Sequence, residues 1–174
     1  MMTDSKYSLA LRITHWLMAV LLAFMLVSGL LMIRSLEGWQ LNVLGLHKAI
    51  GFVVLGLFCL RVVFKFTHPA NRALHNELGW KNKVADSVHG LMYVLMAGMP
   101  VTGLLSQYFA SRPVSIFGLF SFPAAEQSNI ILYSMARELH GLLAAGLIAL
   151  ILLHLGGVMY HQFIKQDNTL KRMI

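Results

Sequence analysis

Eight histidines occur in this chain of 174 residues, and the chemistry open to it starts with the positions of four of them. His140 and His154 bracket the stretch HGLLAAGLIALILLH, whose thirteen intervening residues carry no charge. An imidazole is costly to bury in hydrocarbon unless something satisfies its nitrogens. On a helix that rises about 1.5 Å per residue, a step of fourteen residues covers about 21 Å and close to four turns, so both rings fall near one face. His15 and His47 stand near the starts of two earlier apolar stretches. If those stretches cross a membrane in alternating directions, His47 shares the height of His140 and His15 that of His154. Gly29, fourteen residues after His15, then lies at the His47 height, where a missing side chain lets a flat ring approach the backbone. Arg61, fourteen after His47, lies at the other height. An arginine there needs an anionic partner, and a haem propionate would serve. Two levels, each supplied with imidazoles from two helices, match the needs of two six-coordinate haems.

The elements that must hold these residues are membrane helices. The chain is 57% hydrophobic and only 12% charged, against roughly 25% charged in average soluble domains. Four apolar segments, at 13–33, 43–66, 84–108 and 139–164, each reach the roughly 20 residues a helix needs to cross a bilayer. We therefore expect one all-α membrane domain over residues 1–174, an up-down bundle of four transmembrane helices with two haems between them. The first segment is too long for a signal-peptide core and no small-residue cleavage pattern follows it, so it is expected to be retained. Glycines and Pro100 inside the segments are tolerated by membrane helices. The stretch AAEQSNIILYSMARE is expected to form a short interfacial helix before the fourth span.

The net charge of +7 fits a membrane surface better than nucleic acid, since no basic stripe is interleaved with stacking aromatics. Lys6, Arg12, Lys65, Arg72, Lys81, Lys83, Lys165, Lys171 and Arg172 fall on one side, and Arg34, Lys48, Arg112 and Arg137 on the other. The positive-inside rule then puts both termini in the cytoplasm. Cys59 is the only cysteine, which excludes an internal disulfide and a CxxCH haem attachment. A structural zinc site is disfavoured, because neither level gathers four N/S/O ligands. A single histidine at a helix end is more often an interfacial residue than a ligand. Four of them matched in depth argue for ligation.

The chain resembles the bacterial di-haem cytochrome b561 family of four-helix inner-membrane proteins. The resemblance is carried by YSLALRITHWLM with His15, LGLHKAIGFVVLGLFCLRVVFK with His47 and Arg61, and HGLMYVLMAGMPVTG with His89 and Pro100. HGLLAAGLIALILLH and the tail HQFIKQDNTLKRMI complete it, so that nearly the whole chain is covered. It implies two haem b groups, the inner one ligated by His15 and His154 and the outer one by His47 and His140. It also implies electron exchange with membrane quinone and, in some members, oxidation of superoxide with ubiquinone as acceptor.

Other residues carry weaker signals. His89 lies at inner-haem height and competes for ligation. His161 is seven residues past His154, about 10 Å nearer the cytoplasm and too far for the inner iron. Either could relay protons to a quinone, with Lys83, Asp86 or Tyr160 nearby, or be an ordinary interfacial histidine. His68 and His75 fall in a polar loop and are expected to be solvated. Lys48 and Arg137, within three positions of an outer ligand, could draw in a small anion such as superoxide, or simply anchor the interface. Trp16, Trp39 and Trp80 at span ends fit an aromatic belt. Three functions compete. One is a superoxide:quinone oxidoreductase, and one a cytochrome b subunit passing electrons between quinone and a protein partner. The third, a non-redox transporter or scaffold, is opposed by the absence of paired carboxylates and of repeated broken helices.

Overall fold

A computed structural model describes residues 6–32, 37–67, 80–167 and 169–174. Arg34, His68, Arg72 and His75 lie outside the described residues, as do the side chains of Trp80 and Lys81. Four long helices dominate: α1 (Leu9–Leu31), α2 (Gly38–Thr67), α3 (Trp80–Phe109) and α4 (Ile130–Met159). All four are long and apolar enough to cross a membrane. Their outer faces explain why burial is sparse. Leu142 and Leu153 on α4 are 71% and 62% exposed, as are comparable residues on every helix, a surface only hydrocarbon would cover.

α1 packs along α2 and α3 along α4, with α2 joining the two pairs. The best-buried contact among the helices is a cluster of Met18, Met96 and Leu147, with Leu22, Leu57, Met99 and Ile151 packed around it. Leu147 stands seven residues from both His140 and His154, so this cluster forms an apolar plug between the two histidine levels.

The ends of the helices are set by identifiable groups. Ser8 caps α1 by accepting from the Leu11 N–H at 3.4 Å, and Asn129 caps α4 through the Leu132 N–H at 3.0 Å. That cap makes α4 start at Ile130 rather than near residue 139. The expected short interfacial helix is thus the first part of α4 and continuous with the span. α4 closes in a π-helical turn, Tyr160–Lys165. Beyond it the tail folds back onto α1: the Tyr7 N–H donates to the Arg172 carbonyl, and the Trp16 indole donates to the Met173 carbonyl at 2.9 Å.

Between α3 and α4 lies a feature not anticipated from the sequence, an antiparallel hairpin of β1 (Val114–Ile116) and β2 (Phe120–Phe122). Val114 and Ile116 are buried while Ser115 between them is exposed, and β1 packs on α2. Phe120 meets Phe52 of α2 edge to face at 5.5 Å. The turn needs positive φ at Phe117 and Gly118, a conformation cheap only for glycine.

Candidate functional site

The two histidine levels expected from the spacing are present as two clusters at opposite ends of the bundle. At the end that carries the hairpin, His47 on α2 and His140 on α4 lie within electrostatic reach of each other. Each rests against a neighbouring helix. His47 faces α1, where the Ser28 hydroxyl oxygen lies 2.8 Å from Nδ1. A Cβ on Gly29 would come within 3.7 Å of the same ring. His140 faces α3, its Nδ1 2.9 Å from the Met99 carbonyl and 3.1 Å from the Thr102 hydroxyl oxygen. A Cβ on Gly103 would approach the His140 ring to 3.2 Å.

Hydrogen accounting identifies the tautomers. A carbonyl only accepts, so His140 must donate from Nδ1 to Met99. The Met25 carbonyl, 3.1 Å from the Ser28 hydroxyl, offers an acceptor for its proton, and the assignment that uses it has Ser28 accepting from His47 Nδ1. With that assignment both rings carry hydrogen on Nδ1 and present a bare Nε2 lone pair, the state in which an imidazole binds a metal. Pro100, on the same helix, cannot donate to the carbonyl four residues back, that of Met96. An apolar cavity of about 40 Å³, lined by Met25, Val54, Met96, Pro100, His140 and Leu147, opens beside the ring between all four helices.

At the end that carries the termini, His15 on α1 and His154 on α4 face each other with ring centroids 6.4 Å apart. A metal–imidazole bond is about 2 Å long, so a metal held between two such rings separates their centroids by about 6 Å. The spacing fits. His89 on α3 joins the cluster, its centroid 5.2 Å from that of His154, closer than two rings on opposite sides of one metal would stand. The sequence spacing correctly places His89 at this height.

Arg61 reaches the same end from α2, but the partner found there is on α1. Its guanidinium donates to the Leu11 carbonyl at 2.8 Å and to the Thr14 hydroxyl at 3.3 Å. His161 is removed from the cluster and pairs with the tail, donating from Nδ1 to the Asp167 carboxylate at 2.6 Å. Tyr160 stacks edge-on against His161 at 5.6 Å. Lys165 lies 3.4 Å from the same carboxylate. Burial pushes the Asp167 carboxyl up, but donation from the Thr169 hydroxyl, His161 and the Thr169 N–H outweighs it and holds the group down to about 2. Lys83 and Asp86 are exposed, with Asp86 close enough to His89 to act on it electrostatically.

Of the cations at the hairpin end, Lys48 donates to the Gln107 amide oxygen at 3.4 Å and feels the Arg112 charge. Arg137 is exposed beside Tyr133, Ser134 and Glu138. Sequence reasoning missed Ser28, Met99, Thr102 and Gly103. A signal was there: Ser-Gly at 28–29 and Thr-Gly at 102–103 repeat a hydroxyl-glycine pair at the same depth of two helices.

The sequence profile of the prokaryotic cytochrome b561 family matches residues 6–174. This chain belongs to that family. It is similar to cytochrome b561 homolog 2 of Escherichia coli strain K12, with 29% identity over 174 residues that cover 99% of this chain and 93% of the relative. It is also similar to a protein of Yersinia pestis named Probable superoxide oxidase CybB, with 28% identity over 141 residues, 81% of this chain and 78% of that one. Cytochrome b561 homolog 1 of the same Escherichia coli strain is 23% identical over 167 residues, 92% of each chain. The protein is a multi-pass bacterial membrane cytochrome b that carries electrons, and its family implies a b-type haem.

Proposed function

We propose that this cytochrome b561 holds two haem b groups, one per histidine cluster, and carries electrons from a donor outside the cell membrane, superoxide in the first instance, to membrane quinone. The observation that supports this best is the pairing of α4 with two different helices at two levels. His140 meets the His47 level and His154 lies 6.4 Å from His15, with the Leu147 plug between them. His15 and His154 would hold the haem iron at the terminus end, and His47 and His140 that at the hairpin end. In this reading the whole of residues 1–174 is one domain. The hairpin faces outward and both termini face the cytoplasm, since the sequence puts nine basic residues in the segments on the terminus side of the spans against four on the other.

Bound haem supplies reversible one-electron exchange at its iron. The chain's own residues do the rest. Ser28 and Thr102 orient the hairpin-end rings. Gly29 keeps α1 clear of the His47 ring and of the flat group beside it. Arg61, already anchored on α1, has further N–H groups with which it would hold a propionate at the terminus end. Lys48 and Arg137 raise the local concentration of an anionic donor. The His161–Asp167 pair and His89, at the cytoplasmic edge, are placed to deliver the protons that quinone reduction consumes. The activity in this reading is that of a superoxide:quinone oxidoreductase, with electrons taken singly and passed on in pairs.

Haem counted per polypeptide together with a redox-titrated optical spectrum tests the reading. We expect two haems and two b-type bands. His154→Ala should remove the terminus-end haem, leaving one per chain, and retention of both would contradict the pairing. Stopped-flow mixing of the oxidised protein with superoxide should reduce haem faster than superoxide dismutates spontaneously. Slower reduction, together with a co-purifying dehydrogenase or small cytochrome, would instead make the chain a carrier subunit for a protein partner.

A further inference from the structure

The two ends of the bundle treat their histidines differently. At the hairpin end, each ring is backed by a hydroxyl residue followed by glycine on the adjacent helix: Ser28-Gly29 under His47, and Thr102-Gly103 under His140. In each pair the hydroxyl proton is committed to the helix's own carbonyls. Ser28 donates to Met25, and Thr102 donates to Gly98 at 2.8 Å and Met99 at 3.0 Å. The oxygen is thereby fixed as an acceptor, and the glycine lets the imidazole come down onto it. Ser28 is 3% exposed and Thr102 6% exposed, so water does not compete for the bond. At the terminus end, among the described residues, no hydrogen bond reaches a nitrogen of His15 or His154.

We propose that Ser28-Gly29 and Thr102-Gly103 are a matched pair of positioning devices that set the electron-donating strength of His47 and His140, and so lower the reduction potential of the haem those rings hold. An N–H donated to a buried oxygen leaves more electron density on the opposite nitrogen and makes the ring a better ligand for the oxidised iron. His140 has two acceptors, the Met99 carbonyl and Thr102, where His47 has one. The rings at the other end have none of this assistance. The inference rests on the proposed ligation by His47 and His140. Ser28 and Thr102 act through those rings and touch no reacting atom.

The test is a potentiometric titration of the membrane-extracted holoprotein, with low-temperature paramagnetic resonance spectra of the oxidised form. Thr102→Val keeps the shape and removes one of the two acceptors on His140, leaving the Met99 carbonyl. It should raise the reduction equilibrium constant of one haem about tenfold, a shift of about 59 mV for one electron, and should move that haem's resonance signal. The other haem should stay in place. Ser28→Ala, which removes the one acceptor on His47, should shift the same haem in the same direction by at least as much, and Thr102→Ser should restore the wild-type value. If both haems keep their potentials and signals in Thr102→Val and Ser28→Ala, the inference is overturned. Should Thr102→Val bind haem poorly, Ser28→Ala and Thr102→Ser decide alone: a shift in the first that is absent in the second supports the inference, and no shift in the first overturns it. His140→Ala separates the two levels of the argument. If it retains both haems, the ligation reading fails. If it loses one while the hydroxyl variants are silent, only the positioning role fails.

Discussion

Gly29 and Gly103 occupy equivalent places beneath His47 and His140, but they do not have equal room. A methyl group on Gly29 would sit 3.7 Å from the nearest ring atom, an ordinary contact, whereas one on Gly103 would lie 3.2 Å from His140 Cε1 and 3.5 Å from Nδ1. His140 is also pinned by two acceptors, so its ring cannot swing aside without breaking a bond to Met99 or Thr102. Gly103→Ala should therefore weaken haem retention at the hairpin end by about tenfold, the usual size of a displaced supporting bond to a ligand, and Gly29→Ala by less. Haem stoichiometry after dialysis against a haem-binding apoprotein reads this out, and equal losses would contradict the ranking. These residues were hard to find in advance because a small polar residue in an apolar run looks like any other packing position. The Ser-Gly and Thr-Gly repeats gain meaning only once α1 is known to face α2 and α3 to face α4.

Among the elements, what could be read ahead was whatever a bilayer imposes. Long apolar runs report the part of a helix that lies in lipid, which is why four spans and the two histidine heights follow from spacing alone. Helix beginnings outside that zone depend on caps, and α4 starts at Ile130 because Asn129 satisfies an N–H that hydropathy does not register. The hairpin escaped notice because strands of three residues each carry too little alternation to stand out. The tail adds a pH-sensitive joint at the other end. Asp167, hydrogen-bonded by Thr169 and His161, has its carboxyl held at about 2, below the ordinary 3.8. A carboxyl depressed in the folded state contributes fully above its unfolded value, and that contribution disappears as pH falls through the folded one. The tail should thus loosen from α1 as pH drops from about 4 to about 2. The Trp16 indole, which donates to the Met173 carbonyl, is a built-in reporter. In a Trp39→Phe, Trp80→Phe background its emission should change across that interval, and Asp167→Asn should abolish the change. A transition that persists in Asp167→Asn would place the joint elsewhere.

For the molecule as a whole, charge is distributed so that the hairpin end can gather anions while the apolar flanks remain in lipid. Lys48 follows the proposed ligand His47 directly, and Arg137 precedes His140 by three residues. Arg112 lies near enough to Lys48 for their charges to interact. Like charges held together cost some stability, a cost consistent with a role in attracting a ligand. At physiological ionic strength the Debye length is about 8 Å, so charges this near the proposed haem still act on an approaching anion, while more distant ones are screened. Steering of this kind changes association rates and leaves the driving force alone. Replacing Lys48 and Arg137 together by Gln should therefore slow reduction by superoxide several-fold in dilute buffer. It should also flatten the dependence of that rate on salt, and leave both haem midpoints where they were. Lys48→Arg should retain the wild-type rate, because the charge is kept. A double variant with an unchanged rate and salt dependence would show that these cations only anchor the bundle at the interface. A shifted midpoint would show that they act on the haem itself rather than on the approach of its donor.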